Sequence, residues 1–207
     1  MHIAVAGNIG SGKTTLTTML AKHFGWEPMF ESVDNNPYLA SYYEDMQRWS
    51  FNLQVYFLNN RFRQVIEIRK RNKTVIQDRS IYEDAYIFAP NLHEMQLMAT
   101  RDYENYASLF ELMAQFLQAP DLLIYLKANT STLVSQIQKR GREWEKTIRL
   151  DYLENLNHKY DAWIANYKLG KLLIIDANNI KFGENPEDFG VVIEKINGEL
   201  FGLFDQK

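Results

Sequence analysis

Five short apolar runs recur along the chain: His2-Ile3-Ala4-Val5-Ala6, Pro28-Met29-Phe30, Thr74-Val75-Ile76-Gln77, Leu122-Leu123-Ile124-Tyr125-Leu126 and Leu172-Leu173-Ile174-Ile175. The last two lack polar alternation, as strands covered on both faces do. Between the runs, apolar residues return every three or four positions and predict helices over 14–24, 49–71, 103–119, 131–140, 150–167 and 186–204. Leu16, Met19, Leu20 and His23 or Phe24 form the stripe of the first, and Pro186 falls in the first turn of the last. Asp34 and Asn35 cap a further helix that begins near Tyr38. Strand and helix alternate, so the pattern predicts an α/β fold with a five-stranded parallel sheet flanked by helices. Ligands of such sheets gather beyond the carboxyl ends of the strands. No repeat, low-complexity tract or linker interrupts the pattern, and one domain over 1–207 is expected.

Composition narrows this only slightly. With 46% hydrophobic and 14% aromatic residues, 207 positions suffice for one good core. A net charge of −3 provides no general field for nucleic acid, and the absence of cysteine excludes disulfides and thiolate chemistry. No apolar run reaches the length of a membrane span. A first strand at residue 2 leaves no room for a leader, so a cytoplasmic protein is expected.

Chemistry begins where the first strand ends. Gly7-Asn8-Ile9-Gly10-Ser11-Gly12-Lys13-Thr14, followed by Thr15, matches G-x-x-x-x-G-K-[ST] between a strand and a helix. Its glycines let backbone N–H groups approach phosphate oxygens, and the helix directs its positive end at the same anion. Lys13 would reach the β- and γ-phosphates and Thr14 would hold Mg²⁺, so a bound nucleoside triphosphate such as ATP is implied.

Further candidates follow at the other strand ends. Glu31 either takes a proton from a phosphoryl acceptor or is a capping carboxylate; as a base it would favour a neutral hydroxyl over a phosphate dianion. Asp78 either coordinates Mg²⁺ or serves as a base, and Arg79 would balance charge on the transferred group or orient the acceptor. Asp84 stands one helical turn beyond Ser80 and could reach the same cleft. Gln54, Phe57 and Arg61 share one helix face, a combination that suits a nucleobase and equally suits ordinary packing. The charged stretch 138–148 reads as a lid carrying Arg140 and Arg142, or as a cationic helix end closed by Gly141. Arg69-Lys70-Arg71 with Lys73 reads as a solvated helix end.

Taken together, Glu31-Ser32-Val33, Tyr43 with Arg48-Trp49-Ser50-Phe51-Asn52-Leu53-Gln54, Asp78-Arg79-Ser80-Ile81-Tyr82-Glu83-Asp84, and Arg140-Gly141-Arg142 with Glu145 resemble the deoxynucleoside kinases, most closely the bacterial deoxyadenosine kinases. The resemblance runs from the P-loop to about Trp163 and implies a P-loop kinase fold with a lid. It implies 5′-phosphorylation of a deoxynucleoside by ATP and Mg²⁺, with Thr14 and Asp78 at the metal. Glu31 would be the base, Arg79 would bond the 5′-oxygen, and Tyr43 and Glu145 would hold the 3′-hydroxyl. Gln54 would grip the base edge, Arg61 and Asp84 would line the base pocket, and Arg140 and Arg142 would close over the triphosphate. Leu53 stands where many members stack a phenylalanine, which leaves stacking to Phe88, while Phe57 tightens the pocket. The loop at 176–179 would surround the donor base. A homodimer is expected, and the helix with Leu109, Phe110, Met113, Phe116 and Leu117 is apolar enough to serve as interface or core. Thymidylate-type monophosphate kinases, a regulatory NTPase switch and a protein with a vestigial P-loop are the rival readings.

Overall fold

The computed structural model describes residues 1–30 and 36–202, except the side chains of Trp144 and Lys146. Glu31, Asp34, Asn35 and the expected helix end at Phe204 therefore lie outside the described residues. Strands β1 (His2–Gly7), β2 (Glu27–Met29), β3 (Val75–Asp78), β4 (Leu122–Lys127) and β5 (Lys171–Asp176) form one parallel sheet in the order β2-β3-β1-β4-β5. All five expected strands are present, with ends displaced by at most one residue. The chain builds β2 and β3 on one side of β1, then crosses to place β4 and β5 on the other. β1 is thus the switch point, and the crevice opens above its carboxyl end.

Helices α1 (Lys13–Phe24) and α9 (Pro186–Phe201) cover one face of the sheet. Helices α2 (Leu39–Glu44), α3 (Met46–Lys70), α4 (Ile81–Glu83), α5 (Ala89–Glu94), α6 (Thr100–Ala114), α7 (Thr130–Arg140) and α8 (Leu150–Ala165) complete the chain. The alternation along β1 explains the two layers. Ile3 and Val5 pack with Leu16, Leu20, Val192 and Ile196, whereas Ala4 and Ala6 face Leu53, Leu156 and Tyr160. The small side chains on that second face make room for aromatic rings, and Tyr125 stacks on Tyr160 at 5.7 Å.

Three departures from the sequence pattern have local causes. α3 begins at Met46 rather than 49 because the Asp45 side chain accepts from the Arg48 N–H at 3.0 Å. α6 spans Thr100–Ala114 instead of 103–119, and tight turns close it through Met113 and Ala114 carbonyls. The pattern did not place a helix after Ser80, yet α4, a π-helical turn Asp84–Phe88 and α5 run on continuously there. Pro90 lies in the first turn of α5, directly after the π-helical turn.

Candidate active site

The P-loop depends on glycine at two close approaches. A Cβ on Gly7 (φ 150°) would meet Ser11 Oγ at 2.6 Å and the Leu126 carbonyl at 2.9 Å; one on Gly10 (φ 86°) would meet the Leu133 carbonyl at 2.8 Å. α1 starts at Gly12 with no side-chain cap and no carboxylate in its first turn, which leaves its N–H groups for an anion. Lys13 is buried, with Nζ donating to the Asn8 carbonyl at 2.9 Å. Asn8 in turn donates to Asn157 Oδ1 at 2.7 Å and to the Leu153 carbonyl at 3.0 Å, so α8 braces the loop.

Beside it, Thr14 Oγ1 donates to Asp78 Oδ2 at 2.5 Å, while the buried Asp78 Oδ1 has no hydrogen-bond partner among the described residues. A hydroxyl and a carboxylate oxygen at a phosphate-binding loop fit Mg²⁺, which takes one or two protein oxygens and completes its shell with phosphates and water. Among the described residues, no group of three or more His, Cys, Asp or Glu could hold a metal without such help.

Arg79 follows with a left-handed backbone, φ 71°. A non-glycine residue in this region is strained and needs support. The Arg79 N–H donates to the Val5 carbonyl at 2.9 Å, and Arg61 Nη1 donates to the carbonyls of Arg79 at 2.9 Å and Asp78 at 3.3 Å. The Arg79 guanidinium lies 4.4 Å over the Phe88 ring and donates to Tyr160 Oη at 3.2 Å.

A cavity of about 360 Å³ opens above these groups. It brings together Lys13, Thr14, Tyr43, Gln54, Phe57, Asp78, Arg79, Phe88, Arg140, Arg142 and Glu145, which the sequence scatters over more than a hundred positions. Gln54 Oε1 is buried there without a hydrogen-bond partner among the described residues. The stretch Glu143–Thr147 is a 3₁₀ turn, and it carries Glu145 under the two lid arginines. Glu145 accepts from Arg140 Nε at 2.9 Å and Nη2 at 2.5 Å, and lies 3.6 Å from Arg142 Nη1.

One expectation is corrected. Arg61 and Asp84 do not line the cavity: they form a fully buried ion pair one layer back, with Arg61 facing the Phe57 ring at 5.9 Å. Phe88 does line the cavity, with the Arg79 guanidinium over one face of its ring. The cavity also contains residues that pattern reading missed, among them Phe30, Leu39, Tyr42 and Tyr152. Tyr42 donates to Tyr152 at 3.3 Å, and burial pushes both hydroxyls up, so they remain protonated. Nothing in their spacing marks these aromatics as different from core.

On the far side of the P-loop a second cavity of about 230 Å³ is lined by Gly10, Gly12, Thr15, Gln136, Lys139 and the segment Ile180, Lys181, Phe182, Gly183 and Glu184. Of the loop 176–179 only Ala177 reaches it; Asp176 instead accepts hydrogen bonds from Asn178 and Asn179. Lys139 and Glu184, both in its wall, pair at 2.5 Å. The basic run at the end of α3 stands apart, with Arg71 paired to Glu27 and Glu67.

The sequence model of the deoxynucleoside kinase family matches residues 3–200. The chain is 43% identical over 196 residues to the deoxyadenosine/deoxycytidine kinase of Bacillus subtilis, covering 94% of this chain and 90% of that one. It is 36% identical over 195 residues to the deoxyguanosine kinase of the same organism, covering 90% and 91%. A deoxyadenosine kinase from M. mycoides, solved with dCMP and a flexible dCDP bound, superposes with a TM-score of 0.86 at 30% identity over 96% of this chain and 100% of that one. This chain belongs to the deoxynucleoside kinase family.

Proposed function

We propose that the protein, a single domain, transfers the γ-phosphoryl group of ATP to the 5′-hydroxyl of a deoxynucleoside, with deoxyadenosine preferred. The observation that carries the reading is a pair of cavities on opposite sides of one P-loop, with Lys13 and Arg79 bordering the larger. The smaller takes the donor base and the larger takes the acceptor. Lys13, Arg140 and Arg142 balance charge on the phosphates, and the P-loop from Gly7 to Thr15 cradles them. Thr14 and Asp78 would hold Mg²⁺, which neutralises the phosphate oxygens when bound. Arg79 meets the 5′-oxygen, and Glu31, two positions beyond β2 in the sequence, removes its proton. Tyr43 and Glu145 hold the 3′-hydroxyl.

Base preference rests on Gln54. Its unpartnered Oε1 seeks a donor, and adenine and cytosine present an exocyclic amine where thymine presents a carbonyl. The B. subtilis relative named for adenine and cytosine deoxynucleosides, at 43% against 36% for the guanosine kinase, supports the same preference. A homodimer through α6 completes the reading: Leu109, Leu112 and Phe116 are 39%, 57% and 60% exposed, while Phe110 is core. The direct test supplies ATP and Mg²⁺ with each common deoxynucleoside and with dAMP, and measures product chromatographically. Deoxyadenosine is expected to turn over fastest and dAMP not at all. Transfer to dAMP alone would replace the reading with a monophosphate kinase.

A further inference from the structure

Glu83 is fully buried, and its two oxygens do different things. Oε2 accepts from the Ser80 N–H at 2.7 Å and from Ser80 Oγ at 3.3 Å, which caps the short helix α4. Capping needs no more than this. Oε1 turns the other way and accepts from the Gly7 N–H at 3.1 Å and from Tyr160 Oη at 2.7 Å. The Tyr160 hydroxyl lies 2.8 Å from the Gly7 carbonyl as well, so its one proton is divided between two acceptors. The same oxygen accepts from Arg79 Nη1 at 3.2 Å, and Glu83 Oε1 lies 3.9 Å from that nitrogen. Burial, with the Glu83 charge next, pushes the Tyr160 hydroxyl well up, so the proton stays in place across ordinary pH.

We propose that Glu83 and Tyr160 are a positioning pair, fixing the Arg79 guanidinium on the acceptor side and the first P-loop peptide on the donor side through one shared set of hydrogen bonds. Three segments far apart in sequence, ending β1, following β3 and within α8, meet at these two side chains. A buried carboxylate is expensive unless every lone pair is engaged, and here the compensating donors are the groups that must be registered to each other. Loosening the pair lets Arg79 relax from its contact with Tyr160, and the γ-phosphoryl group and the acceptor oxygen lose alignment. Neither residue lines the cavity, so binding is spared and turnover is not.

The inference rests on the reading of Arg79 as the group that meets the acceptor oxygen. Its test is a double-mutant cycle on the full-length enzyme, with kcat and both KM values for ATP and deoxyadenosine and a thermal midpoint for each variant. Tyr160→Phe keeps the ring and removes the hydroxyl's hydrogen bonds to Glu83, the Gly7 carbonyl and Arg79, so kcat should fall about tenfold while both KM values stay within about twofold. In an Arg79→Lys background the same change should cost less than about twofold further, because the group it positions is gone. Equal losses in both backgrounds, or unchanged kcat, overturn the pair. A loss from Tyr160→Phe with none from Arg79→Lys overturns the role of Arg79 as well, which separates the two failures. Should Tyr160→Phe not fold, Glu83→Gln, which keeps the cap and reverses one oxygen to a donor, takes its place in the cycle with the same outcomes.

Discussion

The two halves proposed for this site, donor and acceptor, are made by different means. Gly7 to Thr14 is one continuous stretch whose recognition groups are chiefly backbone N–H groups, and its sharp turns are fixed by steric contacts a Cβ would violate. The acceptor half has no such stretch. It takes Gln54 and Phe57 from α3, Asp78 and Arg79 from the end of β3, Phe88 from the π-helical turn, and Glu145 from the lid. Those side chains are held by polar partners: buried Arg61 under the Arg79 carbonyl, buried Tyr160 beside its guanidinium, and the more exposed Arg140 on Glu145. A backbone site is secured by local conformation; a side-chain site needs a second layer of charges and hydroxyls to secure it.

If the halves divide in this way, the largest effect should come from the acceptor side alone. Glu31→Gln is expected to lower kcat by about two orders of magnitude with little change in ATP affinity. Steady-state kinetics with nucleotide titration checks it, and near-normal turnover would hand the base role to Asp78. Next is the layer beneath. Arg61→Ala leaves a buried Asp84 without its partner and should cost about 3–5 kcal/mol in denaturant unfolding. Asp84→Ala, acting through Arg61 behind the Phe57 ring, should reduce purine acceptance more than thymidine acceptance, and an unchanged ratio would detach this pair from base choice. A smaller effect, outside both halves, is expected for Leu112→Glu on the exposed face of α6: sedimentation should show dissociation while the melting temperature holds within a few degrees.

The smallest concerns His2, at the opposite end of β1. Burial holds its imidazole below the ordinary histidine range, although Gln77 accepts from or donates to its ring at 3.0 Å. The unfolded chain therefore binds a proton first as pH drops. Stability is full above about pH 6.5 and falls as pH falls toward the depressed folded value. His2→Gln should flatten that acid limb and leave kcat for both substrates unaltered. A kinetic change would tie the far end of the sheet to the site.

Much of this molecule is legible in one dimension. The five apolar runs fall on the five strands because a parallel sheet covered on both faces buries most of its strand residues, and a polar one there needs partners, as Gln77 has in Gln64 and His2. The P-loop is equally plain, since its function is local. Glu83 shows where legibility stops. Its cap with Ser80 is local, but its second oxygen answers to Gly7, 76 positions away. Tyr160 carries no signal at all among the aromatics of α8, and Arg61 and Asp84 read as pocket residues yet stand behind the pocket wall.

What the sequence determined by itself is the alternation, the parallel sheet and a triphosphate-sized loop at the end of its first strand, all consequences of short-range periodicity and backbone freedom. Tertiary structure alone decided which carboxylates and hydroxyls meet there. Such groups are recruited across long separations, and a buried charge chooses its partners by distance and geometry after folding has excluded water, which no spacing along the chain records.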